Sequence, residues 1–203
     1  YRSGSDIFGS AGLDLKYRVS SNVTLDATVN PDFGQVELDP SVINLTAFET
    51  RYSERRPFFV EGADIFTFGE AGPMGSVGTG PELVYSRRIG RSPTGVVPSE
   101  AVFADTPTAT TIAGAAKVTG RVGDGWSLGI LEAVTGREVA FYTDGDRRGH
   151  QLTVEPAANY VVGRLRRQIR GGQTRFGMIA SAVNRGVSGT ILADKLHASA
   201  YSS

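Results

Sequence analysis

Apolar and polar side chains alternate with a period of two in three places along this chain. Leu13, Leu15, Tyr17 and Val19 interleave with Asp14, Lys16 and Arg18, so a strand there has one apolar and one charged face. After Ser20-Ser21-Asn22 the pattern resumes, with Val23, Leu25, Ala27 and Val29 against Thr24, Asp26, Thr28 and Asn30. The two runs predict a hairpin with a very short turn. A second hairpin sets Ile112, Gly114, Ala116, Val118 and Val122 against Ala113, Lys117, Thr119 and Arg121, turns at Gly123-Asp124-Gly125, and returns through Trp126, Leu128, Ile130 and Val134. Glu132 falls on that apolar parity, which predicts either a misfit or a bulge near Ile130-Leu131. The third pair runs from about Asn159 to Ile169 and from Thr174 to Val183, joined by Arg170-Gly-Gly-Gln173. Arg167 breaks its alternation, close enough to the turn for its head to reach out of an apolar surface.

Three tight turns thus alternate with two long connections, roughly Pro31 to Thr111 and Gly136 to Ala158, and the chain leaves the third pair into another loop at Asn184. Short turns at one end and long loops at the other, with strands of about 9–11 residues, are the arrangement of an outer-membrane β-barrel. A soluble sandwich also alternates, but its open faces rarely carry Asp14, Lys16 and Arg18 in one short strand, and its loops do not sort by length in this way. Six strands do not close a membrane barrel, whose smallest members have about eight, and an open edge in hydrocarbon leaves backbone groups unpaired. The expectation is a piece of a larger barrel, in keeping with a first residue, Tyr1, that is not Met.

Composition narrows the chemistry. The 21 Lys and Arg balance 21 Asp and Glu, which argues against a nucleic-acid partner held by bulk charge. Twenty-six Gly fit a turn-rich β protein, and a hydrophobic fraction of 40% excludes simple disorder. Without Cys there is no disulfide framework, thiolate metal site or Cys nucleophile, and with only His150 and His197, read as solvent-side loop residues, neither a multi-His metal centre nor a cofactor is expected. No run of about 18 apolar residues predicts a transmembrane helix, and barrel strands contain no such run.

Between Pro31 and Thr111 the chain becomes dense in charge, Phe and Pro, and any specific activity belongs there. Asp39-Pro40 opens a helix, and Val42, Leu45, Phe48 and Tyr52 follow at three- and four-residue steps, so an amphipathic helix is predicted from Pro40 to about Ser53, stopping before Pro57. Glu49, Glu54, Glu61 and Asp64 stand among Arg51, Arg55 and Arg56, and Tyr85-Ser-Arg-Arg-Ile-Gly-Arg91 adds Arg87, Arg88 and Arg91. Opposite charges at this density form a network that pins a loop to a polar barrel wall, or else a pore constriction or solute-binding surface. Glu54 and Glu61 as a glycosidase pair is a third reading, on a spacing that any two loop acids satisfy. Weaker signals are read as ordinary: Gly75 to Gly80 as a mobile loop without the phosphate-loop Lys, Asn22-Val-Thr24 and Asn44-Leu-Thr46 as chance acceptor matches, and Asp144-Gly-Asp146 as a turn and not a calcium loop.

Leu25-Asp-Ala-Thr-Val-Asn-Pro-Asp-Phe-Gly-Gln-Val-Glu-Leu-Asp-Pro40, Asn44-Leu-Thr-Ala-Phe-Glu49, Glu54-Arg-Arg-Pro-Phe-Phe-Val-Glu-Gly62 and Tyr85-Ser-Arg-Arg-Ile-Gly-Arg91 resemble an uncharacterised bacterial domain family. That family commonly follows an N-terminal family-9 carbohydrate-binding module and looks like an outer-membrane β-barrel. The resemblance covers roughly residues 7 to 135, departs slightly at Glu37-Leu38-Asp39, and implies location and architecture more than activity. A glycosidase label would come from the upstream module, which this sequence does not contain, so no catalytic role passes to Glu54, Glu61 or Asp64.

The expected fold is all-β: part of an antiparallel transmembrane outer-membrane β-barrel, with residues 1–203 as one domain and residues 31–111 as a charged, inward, plug-like loop containing a short helix. The expected role is passage or capture of a solute, a glycan fragment among the candidates, in the bacterial outer membrane. The alternatives are a surface glycoside hydrolase and a structural anchor. Lipid is the expected partner, with a carbohydrate ligand reached through the missing module. Glu49, Arg51, Glu54, Arg55, Arg56, Glu61, Asp64, Arg87, Arg88 and Arg91 are the candidate network or pore lining, with no catalytic residue, metal or cofactor.

Overall fold

The computed structural model describes residues 11–31, 52–67, 84–188, 190 and 192–202. The three hairpins form where alternation places them: β1 (Leu13–Ser20) with β2 (Val23–Val29), β4 (Ile112–Val122) with β5 (Trp126–Thr135), and β8 (Ala158–Ile169) with β9 (Thr174–Arg185). They join into one antiparallel sheet of seven strands, ordered β1-β2-β4-β5-β8-β9-β10, in which β10 (Ser199–Ser202) is an addition to the expected six. β3 (Phe103–Asp105), β6 (Glu138–Thr143) and β7 (Gly149–Glu155) make a second, three-stranded sheet. The stretch from Gly136 to Ala158, expected as a loop, is therefore largely a hairpin, and His150 lies on a strand and not in a loop. At its tip the Asp144 carboxylate accepts the Arg148 N–H and closes the turn.

Register sorts side chains to two faces. Tyr17 lies opposite Leu25, Leu25 opposite Val118, Val118 opposite Ile130, and Leu128 opposite Leu165, which faces Met178. On the other face the same ladder reads Lys16, Asp26, Lys117, Leu131, Val162 and Ser181. A sheet with one apolar and one polar face normally buries the apolar one. This sheet does the reverse: Leu13, Tyr17 and Met178 are 69%, 60% and 63% exposed, while Lys117 and Asp26 are 2% and 8% exposed.

What covers the polar face is the long connection after β2. Its described parts contribute a one-turn helix, α1 (Pro57–Val60), and short helical turns at Ala63–Phe66 and Ser86–Arg88. The buried core joins Phe59 and Ile89 of that connection to Ile112, Ala115, Leu131, Ala133, Ala158, Tyr160, Val162 and Ile179 of the sheet. The helix predicted over 40–53 lies outside the described residues except for Tyr52 and Ser53, which are not helical. The helical turn begins at Pro57, where a helix was expected to have stopped: Pro at its first position lacks only an N–H that has no partner there, and Arg56 before it stays extended.

Glu132 needs no bulge beside it. Pairing of β4 with β5 is continuous through Ile130 and Leu131, and the register shift lies instead between Ile112 and Gly114. Glu132 stays on the apolar face near its long-connection end, where it accepts a 2.8 Å hydrogen bond from Asn159. Arg167 is on the same face at the short-turn end, its guanidinium 5.0 Å from the Trp126 ring centre.

Candidate functional site

The charged residues expected to act as one network divide into three groups. The first is centred on Arg56, 8% exposed beneath the core. Its Nε and Nη2 donate to the two carboxylate oxygens of Glu54 at 2.8 and 2.6 Å, a bidentate pair, while Nη1 donates to the Ile89 carbonyl at 2.6 Å and Nη2 to the Ser86 carbonyl at 2.8 Å. Glu54 also accepts the Ser86 hydroxyl at 2.6 Å and the Arg55 and Arg56 N–H groups at 3.0 Å. Arg56 lies 4.3 Å over the Phe59 ring, which joins this pair to the apolar core. Burial pushes the Glu54 carboxyl up, but the hydrogen bonds from Arg56 and Ser86 and the Arg56 charge outweigh it and hold the group at about 2.

Arg87 extends this clamp. It donates to the Ser53 carbonyl at 2.8 Å, and the Tyr85 hydroxyl accepts the Tyr52 N–H at 2.8 Å, so segments 52–56 and 84–89 are tied together through main-chain groups. Arg88 forms the third residue of the helical turn that carries Arg87.

Arg91 belongs to a second group. It donates to the Thr94 hydroxyl at 2.6 Å and sits 3.6 Å from Glu155, a buried carboxylate at the end of β7 that also accepts the Thr94 N–H at 2.8 Å. This ties the long connection to the three-stranded sheet. Glu155 was not among the sequence candidates, because its partner lies about sixty residues away and nothing in its own strand marks it.

The third group sits deeper on the sheet. Lys117 on β4 donates to the carbonyls of Phe58, at 2.6 Å, and Glu61, stands 3.8 Å from Asp26, and lies 4.9 Å over the Phe58 ring. The Glu61 carboxylate pairs with Lys16, whose hydrogen bond holds it below its ordinary range. Gly62 then turns the chain with φ +67°, and a Cβ there would also stand 3.3 Å from the Thr119 hydroxyl. Asp64 is the second residue of the helical turn at Ala63–Phe66 and its carbonyl accepts from Thr67, and Ile65 and Phe66 seat on Gly129, where a Cβ would lie 2.2 Å from Ile65. The segment therefore descends the polar face as far as Thr119 and Gly129, a few residues from the short turn.

Glu54, Arg56, Arg87, Arg91 and Glu61, expected from the sequence as one cluster, are thus distributed over three groups. Lys16, Asp26, Lys117, Ser86 and Glu155 were not among the expected members. Glu49 and Arg51 lie outside the described residues. Among the described residues no group of three His, Cys, Asp or Glu side chains is placed to hold a metal ion, and no helix is long and apolar enough to cross a membrane, which says nothing of strands.

Residues 2–188 match the family described as a domain of unknown function, DUF5916. The chain belongs to that family. No curated protein and no solved structure matches it. Family membership thus covers the hairpins and the clamp alike, and assigns neither an activity.

Proposed function

We propose that this chain is part of an outer-membrane β-barrel whose bare apolar face meets lipid, and whose inserted segments narrow a lumen used for passage or capture of a solute. One observation carries the reading: the sheet covers the face that holds its charged ladder and its core with its own long connection, and leaves the face of Leu13, Tyr17, Ile130 and Met178 open. In water that choice strands a continuous apolar surface across neighbouring strands, which is the mark of a membrane or protein contact. In a bilayer it is the stable choice, because the lipid-facing side is apolar and the enclosed side polar.

The ends of the apolar face support the same reading. At the short-turn end Trp126, Arg167 and Phe176 are register partners, an aromatic pair with a cation able to reach the headgroups. At the other end Glu132, Asn159, Asn184 and Ser199 form a polar ladder, with Asn184 accepting from Ser199 at 3.0 Å. From Trp126 to Val134 the strand climbs about 20 Å along the normal at a tilt of about 40°, close to the ~25 Å apolar band of such barrels. The general-acid role in glycoside hydrolysis draws no support from Glu54: such a group must hold its proton near neutral pH, and this carboxyl is held at about 2 by its hydrogen bonds to Arg56 and Ser86 and the Arg56 charge.

Single-cysteine variants at Val118, Ile130 and Met178, spin-labelled in the complete protein reconstituted in vesicles, test the placement. Greater access of oxygen than of a water-soluble nickel chelate is expected at all three. Free access of the chelate would refute the lipid contact, and so would protection from both reagents, which would mean a protein partner covers the face.

A further inference from the structure

We propose that the short-turn rim of the open apolar face is a binding site for an acidic glycerophospholipid, whose phosphate is held by Arg167, Arg170 and the Trp126 indole. The inference names a partner for the lipid-facing surface described above and rests on that reading. Register builds the rim. Val122 lies opposite Trp126, Trp126 opposite Arg167, and Arg167 opposite Phe176. One step further from the turns, the same face carries Leu128, Leu165 and Met178 as register partners. The surface therefore passes from hydrogen-bond donors to hydrocarbon within one row, about 7 Å along a strand.

The polar groups of this rim are unspent within the protein. Arg167 is exposed, with its guanidinium 5.0 Å from the Trp126 ring centre, and among the described residues it forms no ion pair and no side-chain hydrogen bond. Arg170 opens the β8–β9 turn with φ +54°, exposed and likewise without an acid among the described residues. The Trp126 indole N–H has no acceptor there either. The Gln168 N–H donates to the Gly125 carbonyl at 2.8 Å, and a Cβ at Gly125 would lie 2.1 Å from the Gln168 carbonyl oxygen, so the turn carrying Arg170 is held tightly beside the turn that leads into Trp126. Asp124 is the acid of that second turn and pairs with neither arginine. Two cations thus face one acid at the edge of a bare apolar surface.

A small anion would meet these donors and leave the apolar row uncovered, and a purely apolar molecule would do the opposite. A phospholipid meets both. Phosphate oxygens accept from guanidinium forks two at a time, an indole N–H at the interface donates to the same head, and acyl chains lie over Leu165 and Met178. An acidic head is favoured because a zwitterionic one brings an ammonium group that competes with the arginines for its phosphate. Short barrel turns face the periplasm, so the leaflet concerned is the inner one of the outer membrane.

The test is native mass spectrometry of the complete protein carrying this chain, titrated in detergent with dioleoyl-phosphatidylglycerol or dioleoyl-phosphatidylcholine. Preferential retention of phosphatidylglycerol by about tenfold or more is expected. Arg167→Gln and Arg170→Gln should each lower it about fivefold and leave phosphatidylcholine unchanged, while Lys at either position should keep most of it. Each variant is read by itself, so a folding defect in one leaves the other as the test. Arg137→Gln, which removes the same charge between β5 and β6 at the long-connection end, should have no effect. Glycerophosphoglycerol, the head without its chains, should not displace the lipid at equal concentration. Equal retention of the two lipids, an equal loss in Arg137→Gln, or displacement by the chainless head would overturn the site. Equal retention together with oxygen access at a labelled Ile130 would remove the headgroup site and leave the lipid-facing surface standing, whereas free access of the nickel chelate there would remove both.

Discussion

Replacing Glu54 with Gln removes one charge from the clamp and almost no volume. The carboxyl is only 15% exposed, so solvent does little to soften the change. Held at about 2 against an ordinary value of 4.5, it contributes about 3 kcal/mol to the packing of the inserted segment, at about 1.4 kcal/mol per tenfold. Removing one member of a buried ion pair costs about 3–5 kcal/mol, and Gln belongs at the lower end because Arg56 keeps the Ile89 and Ser86 carbonyls. The depressed carboxyl stabilises fully above the ordinary carboxylate value, and that contribution is lost as pH falls through about 2. The reporters are the amides of Phe59, Val60 and Glu61, which donate to the carbonyls of Arg56 and Pro57 at 2.9 to 3.0 Å. In hydrogen exchange on the complete protein at neutral pH, Glu54→Gln should reduce their protection on the order of a hundredfold. After correction for intrinsic exchange, wild-type protection should decline from about pH 4.5 towards 2 while the variant stays flat across that window. Wild-type protection in the variant at neutral pH would show that the pair does not hold the segment, and a variant that still loses protection in acid would assign the titration to another group.

Gly129→Ala should force Ile65 and Phe66 off the sheet at a cost of about 1–3 kcal/mol, read as faster chymotryptic cleavage after Phe66 with the hairpins intact. Lys117→Met leaves the Phe58 and Glu61 carbonyls without their donor and Asp26 without its cation, so a loss of about 3–5 kcal/mol is expected in denaturant unfolding; adding Asp26→Asn should recover part of it, and strict additivity would refute the pairing. Met178→Arg on the open apolar face should cost about 2–4 kcal/mol in vesicles, and an effect near zero would argue against lipid at that position.

Strand parity was legible because it is local. Leu13, Leu15 and Tyr17 state their face within five residues, and register then carries that face from β1 through β9. The hairpin of β6 and β7 was passed over because Val139-Ala140-Phe141-Tyr142 is a short continuous apolar run without the apolar/polar alternation of the other strands, and the stretch was weighed by its length between them. β3 and β10 are three and four residues long, below what a pattern can mark. The clamp was half visible. Glu54 and Arg56 lie two residues apart, whereas Lys117 meets Phe58 and Glu61 across more than fifty, and no spacing rule links a strand lysine to carbonyls that distant. Charge density located the segment but not which charges would pair, which is why Arg91 and Glu61 separated from the group they were expected to join.

Lys117 and Arg56 grip the inserted segment largely by its peptide oxygens: those of Phe58, Glu61, Ser86 and Ile89. Such a socket reads the path of a backbone and is indifferent to most of the side chains strung along it. Variation at outward positions such as Glu61 can therefore change the charge that the segment presents while the same two cations keep the fitting in place, much as interchangeable inserts share one housing.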